Sequence, residues 1–229
     1  MEEKTNLLTG IGSLGAFVLW TVLIRCVDVQ AVGPNGTKVG FAAVNVWFHQ
    51  MTGVHMPVYT ITDWLGLVPI FVCLCFGALG LVQLIKRRSL RRVDPDLVLL
   101  GVYYVLVILA YLLFEMVPVN YRPVLIEGRL EASYPSSTTL LVLSVMPTLM
   151  FQAGRRIAEL RLRKSVSVFA VLFSLSMTLG RLVSGVHWVT DIVASVLLSA
   201  GLFQLYRSAV LLADGRKEKQ WSSTKNCGN

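Results

Sequence analysis

Six long apolar runs constrain this chain more than any other feature. They cover roughly residues 7–24, 64–85, 97–117, 138–153, 166–182 and 188–212, each near the ~20 residues a helix needs to cross the hydrocarbon core of a bilayer. A water-soluble domain of 229 residues keeps a charged surface, whereas this sequence is 55% hydrophobic and 15% charged, with a mean hydropathy of +0.65. The expected fold is therefore all-α, a polytopic membrane protein built as a six-transmembrane-helix bundle. No polar insertion is long enough to hold a second unit, so residues 1–229 read as one membrane domain. The first run follows Met-Glu-Glu-Lys, which is not a basic signal region, and reads as a retained helix.

Charge placement sets the expected orientation. The net charge of +8 comes from clusters beside the apolar runs: Lys86, Arg87, Arg88, Arg91 and Arg92; Arg155, Arg156, Arg161, Arg163 and Lys164; Arg216, Lys217 and Lys219. Such clusters mark loops kept in the cytoplasm, and they speak against a nucleic-acid partner. Both termini are then cytoplasmic, and residues 25–63, 118–137 and 183–187 are outer loops, with few cations besides Lys38, Arg122 and Arg129.

Within the first outer loop, Val44, Trp47, Phe48 and Met51 recur with helical spacing while Asn45, His49 and Gln50 fall opposite. That pattern predicts an amphipathic helix lying in the outer interface. Pro34-Asn35-Gly36-Thr37 reads as a tight turn. Cys26, Cys73, Cys75 and Cys227 show neither a CxxC pair nor metal-ligand spacing, and read as unpaired. No metal or cofactor is implied.

The ionisable residues that remain gather at the outer mouth. Arg122, Arg181, His187 and Asp191 all fall there, and ionisable groups near hydrocarbon face one another or a wet cavity. His187 and Asp191 are four apart, the spacing that puts two side chains on one helical face. A carboxylate bonded to one imidazole nitrogen leaves the other free to attack or to accept a proton, although such a pair can also do no more than satisfy itself. Pro135-Ser136-Ser137-Thr138 opens the fourth span; serines there either cap the helix or offer its N–H groups to an anion. Two guanidiniums, an anion-receptive helix start and an oriented imidazole together describe a phosphate site.

These residues resemble the motifs of the type 2 phosphatidic acid phosphatase superfamily. Arg181-x5-His187-x3-Asp191 is similar to its third motif, SR-x5-H-x3-D. Arg122-Pro123 is similar to the end of the first, K-x6-RP, and residues 135–138 to the second, PSGH. The wider sequence looks most like a Gram-positive bacterial branch. The resemblance implies an integral protein of the bacterial plasma membrane with its active site facing outward. It makes His187 the nucleophile that forms a phosphohistidine and Asp191 its orienting partner. Arg122, Arg181, Ser136, Ser137 and Thr138 become the groups around the phosphate.

Three positions depart from the pattern: Glu115 stands where the first motif has lysine, Thr138 where the second has the histidine that serves as general acid, and Gly180 where the third has serine. General acid catalysis is typically worth ~10²–10⁴-fold, and it matters most for a basic leaving group. A lipid monophosphate leaving from a diphosphate needs less help than an alkoxide. The expected activity is therefore a lipid phosphate or diphosphate phosphatase that favours a polyprenyl diphosphate such as undecaprenyl diphosphate over phosphatidic acid. His49 and His55, on the same outer side, are candidate substitute acids, as are Glu127 and Glu131. A lipid-phosphate binder or carrier, and a lipid phosphotransferase, are the alternatives.

Overall fold

The apolar runs fold as α1 (Glu2–Cys26), α4 (Leu67–Arg87), α5 (Pro95–Met116), α6 (Ser137–Arg156), α7 (Leu160–Val183) and α8 (Val189–Asn226), with two shorter helices, α2 (Ala42–Thr52) and α3 (Met56–Leu65), ahead of α4. This computed structural model describes residues 2–226, with side chains described through residue 216; Cys227 and the side chains of Lys217 and Lys219 lie outside the described residues. Six segments are long and apolar enough to cross a membrane, and no strand occurs among the described residues.

The second crossing differs most from expectation. It runs over Met56–Arg87, eight residues earlier than the apolar run, and breaks at Gly66 between α3 and α4. Tyr59, Thr60, Thr62 and Asp63 interrupt the hydropathy without interrupting the helix. Their polarity serves the site rather than marking a loop, as shown below. The sixth crossing, α8, also continues past residue 212, and the fifth, α7, starts at Leu160.

α6 occupies the middle of the bundle. Half of its most apolar window is buried, more than in any other crossing. It is also the least hydrophobic crossing, because its inward polar groups bond to neighbouring helices. Tyr103 donates to the Ser144 carbonyl (2.9 Å), Tyr104 and Thr148 share a 2.8 Å bond, and the Gln152 amide donates to Tyr206 (2.7 Å). Such bonds replace hydrophobic burial as the glue between helices in lipid. Apolar packing falls into two groups. One joins α1, α5 and α8 around Phe17, Leu100, Tyr103 and Leu198; the other joins α4, α6 and α7 around Val72, Val145, Met146 and Met177.

At one end, Arg155 and Arg156 of α6 reach Asp94, Asp96 and Asp214, clamping α5, α6 and α8. The opposite end carries the segments 27–63, 117–136 and 184–188, and there α2 lies across the top. Its apolar Val44, Trp47 and Met51 point outward, while Asn45 is buried and donates to Gly40 O and Thr190 Oγ1 (2.8 and 3.0 Å).

Candidate active site

Each charged residue of this end is positioned by a different local device. Residues 120–133 double back as a short hairpin. Arg122 N–H donates to Glu131 O, Ser133 N–H donates to Asn120 O, and the tip turns through Glu127 and Gly128, both at positive φ. The hairpin sets Arg122 beside Glu131, and Arg122 Nε lies 3.1 Å from Glu131 Oε2. Arg122 itself is buried.

Arg181 ends α7 and is 1% exposed. Its cradle comes from α3: Nη1 lies 3.4 Å from both Thr62 Oγ1 and Tyr59 O, and Nη2 lies 3.4 Å from Asp63 Oδ1. Close approach of α3 explains why residue 180 is glycine here. A Cβ at Gly180 would sit 2.7 Å from Thr62 Cγ2, so the serine of the familiar motif would collide with the cradle. Both guanidiniums lie over the ring of Tyr59, Arg181 at 4.8 Å and Arg122 at 5.6 Å from its centre. An aromatic ring facing two like charges offsets part of their repulsion, on the order of 0.5–2 kcal/mol per contact.

His187 lies in the turn between α7 and α8. Gly185 makes that turn possible: it has φ +70°, and a Cβ there would fall 2.0 Å from Gly53 O. The imidazole is buried. Its Nδ1 is 3.1 Å from the Ser133 carbonyl, which can only accept, so Nδ1 carries the proton and the lone pair stays on Nε2. Burial, followed by the charges of Arg122 and Arg181, holds the imidazole well below its ordinary pKa. It is a neutral base with a free nitrogen.

Asp191 is placed differently from the expectation. Its Oδ2 stands 3.9 Å from His187 Nδ1, beyond hydrogen-bond reach. The reason is local: α8 starts at Val189, so His187 precedes the helix and the four-residue spacing does not stack the two side chains. Asp191 instead reaches back to Trp188 N–H (3.0 Å) in the manner of a capping box and accepts from Asn120 Nδ2 (3.2 Å). The ring is oriented by the Ser133 carbonyl, with the carboxylate as a charge behind it.

Among the three residues at the start of α6, only Ser137 reaches the polar cavity. That cavity, about 240 Å³, is lined by His187, Arg122, Ser133 and Ser137 together with Glu115, Glu131 and Tyr111. Ser136 is fully buried, shares a 3.0 Å bond with Thr139 Oγ1, and receives Ser195 Oγ on its carbonyl. Thr138 faces a separate apolar groove against Gly66. Neither His49 nor His55 lines the cavity. The His49 ring packs on Trp188 (5.6 Å between centres), and burial lowers its pKa. His55 is tied through Nε2 to Thr52 O at 2.8 Å. Glu115 does line the cavity, but Arg122 pairs with Glu131 instead.

Sequence reasoning missed Tyr59, Asn120 and the Ser133 carbonyl. The signal for Tyr59 was the polar interruption at residues 59–63 ahead of an apolar run. A backbone carbonyl leaves no signal at all.

Together these features define a class: a helical membrane bundle whose polar cavity holds Arg122 and an unprotonated histidine nitrogen, with a second guanidinium, Arg181, outside the cavity lining but over the same Tyr59 ring. Residues 102–212, which include Arg122, Ser136, Ser137, Thr138, Arg181, His187 and Asp191, match the model of the PAP2 superfamily. The fold as a whole is similar to that of a transmembrane PAP2-type phosphatidylglycerolphosphate phosphatase from Bacillus subtilis. The TM-score is 0.61 at 16% sequence identity, and the likeness covers 92% of this chain and 96% of that one. No curated protein matches the sequence.

Proposed function

We propose that this protein is a single-domain, membrane-embedded lipid phosphatase acting through a phosphohistidine at His187. The observation that carries the reading is a set of buried nitrogens. Arg122 Nε and Nη1, Arg181 Nε and His187 Nε2 are buried and make no hydrogen bond among the described residues. Leaving such groups unpaired is costly, about 1–3 kcal/mol each and more for charges. Three unsatisfied guanidinium donors, on two arginines, beside one nucleophilic lone pair suit a phosphoryl group, whose oxygens the forks bind and whose phosphorus the imidazole attacks.

Asp191 supports the step that follows. Attack through Nε2 while Nδ1 keeps its proton makes the ring cationic, and the nearby carboxylate stabilises that charge as it forms. The helix start at Ser137 adds backbone N–H groups toward the same oxygens.

A lipid tail has a route out. The apolar groove of about 350 Å³ between α4, α5 and α6 is lined by residues such as Leu67, Ile70, Val107 and Leu141, and it shares Tyr111, Ser137 and Leu140 with the polar cavity. A head group in the cavity therefore leaves its chain against lipid. The basic residues lie at the far end of the bundle, so by the positive-inside bias the pocket opens outside the plasma membrane of a bacterium, with both termini in the cytoplasm.

Thr138 offers no acid, and its side chain faces the groove. The favoured substrate is accordingly one with a good leaving group, a polyprenyl diphosphate rather than phosphatidic acid. Phosphate release by purified protein in detergent, wild type against His187→Ala, on both lipids tests this. Release from the diphosphate that His187→Ala abolishes supports the reading. Equal, negligible release from both proteins identifies a binder or carrier instead, and turnover that requires an acceptor lipid identifies a phosphotransferase.

A further inference from the structure

The phosphohistidine must be hydrolysed, and that half-reaction needs a base for water even when departure of the first leaving group needs no acid. We infer that Glu131 is this base, a role that rests on the phosphohistidine reading above. Two carboxylates line the cavity with His187, and only these two: Glu115 and Glu131. Their situations differ. Glu115 sits in the last turn of α5, largely exposed, with no ion pair among the described residues. Glu131 is half-buried on the hairpin, and its Oε2 lies 3.1 Å from Arg122 Nε.

That contact fixes where the carboxylate stands relative to the phosphoryl group. Arg122 Nε lies 3.1 Å from Glu131 Oε2 as an ion pair, yet neither Nε nor the buried Nη1 makes a hydrogen bond among the described residues. A phosphoryl oxygen taken by Arg122 and the Glu131 carboxylate are then both held against one planar guanidinium. A water between them lies against phosphorus on one side and a carboxylate oxygen on the other. None of the other candidate acids has such a position, and Glu127 does not line the cavity. His55 is engaged with Thr52 O, His49 packs behind Trp188, and Thr138 points into the groove.

The water oxygen forms a bond to phosphorus while the phosphorus–Nε2 bond breaks, and its electron pair returns to Nε2. The water proton passes to Glu131, inorganic phosphate departs, and Glu131 releases the proton to solvent. His187 ends neutral, protonated on Nδ1 toward Ser133 O.

The experiment is single- and multiple-turnover kinetics of the full chain in detergent, on a short-chain polyprenyl diphosphate labelled in its terminal phosphate. The wild type, Glu131→Gln and Glu131→Ala are compared. Glutamine keeps the shape and a contact to Arg122 but cannot take a proton. The expected result is an undiminished first-turnover burst of lipid monophosphate, labelled protein accumulating at His187, and steady-state phosphate release lowered about 10²–10⁴-fold. Added formate should restore release by Glu131→Ala at least tenfold. If Glu131 only holds Arg122 in place, Glu131→Gln weakens the burst itself, raises KM and traps no label, which overturns the assignment. Unchanged steady-state release also overturns it, while leaving the phosphatase reading intact. Silence of the wild type overturns both.

Discussion

Asp191→Asn isolates the electrostatic part of the proposed chemistry with little change in shape. Asparagine can still accept the Trp188 N–H, so the start of α8 keeps its cap, while the charge and the bond accepted from Asn120 Nδ2 are lost. In the native site that charge stands 3.9 Å from Nδ1 of the ring that becomes cationic. Attraction between unit charges at this distance, with an effective dielectric near 20, is about 4 kcal/mol. None of it is felt by the neutral ring of the resting protein, so it appears in the transition state rather than in substrate binding. The expected result is a loss of roughly 10³-fold in kcat with KM changed less than about threefold. The assay is phosphate release under saturating diphosphate, alongside thermal unfolding to confirm an intact bundle. A loss below tenfold in a folded variant, or an effect confined to KM, would refute the argument that Asp191 acts through charge.

Three further outcomes follow from the same geometry. Tyr59→Leu removes the ring shared by Arg122 and Arg181 and should raise KM about tenfold with a smaller effect on kcat; Tyr59→Phe, which keeps the ring, should restore it. Because the His187 pKa is pushed well below 6.5, the folded protein keeps its nucleophile neutral as pH falls through 6.5. Its kcat/KM should show no His187 titration there, whereas the stability that the neutral ring contributes is lost below pH 6.5, where the unfolded chain takes up the proton first. Thr138→His should raise turnover of a lipid monophosphate at least tenfold more than that of a diphosphate; equal changes would contradict the leaving-group argument.

Much of this was legible in the sequence because the bilayer imposes a simple rule. Runs of apolar residues near 20 long located six crossings, and basic clusters separated the two ends. The rule fails where a crossing carries function. Residues 59–63 look like a loop to hydropathy, yet they form the turn of α3 that holds Arg181. The central helix α6 reads as the weakest crossing because its polar residues are satisfied by other helices. Spacing also placed His187 and Asp191 together, but their contact depends on where α8 begins. A two-residue offset converts an expected hydrogen bond into a through-space charge and hands the ring to a backbone carbonyl. The pairing of Arg122 with Glu131 rather than Glu115 is likewise a property of the hairpin, whose register cannot be read from the distance of either residue from Arg122 in the chain.

The proposed chemistry requires a covalent phosphorus–nitrogen bond at one residue. Rapid quenching of the purified protein with polyprenyl diphosphate labelled in its terminal phosphate, followed by digestion and mapping of the label, tests that claim most directly. The prediction is an acid-labile, base-stable adduct on the peptide containing His187, absent from His187→Ala. Phosphate release at full rate without such an adduct, or a label that survives His187→Ala, would contradict it.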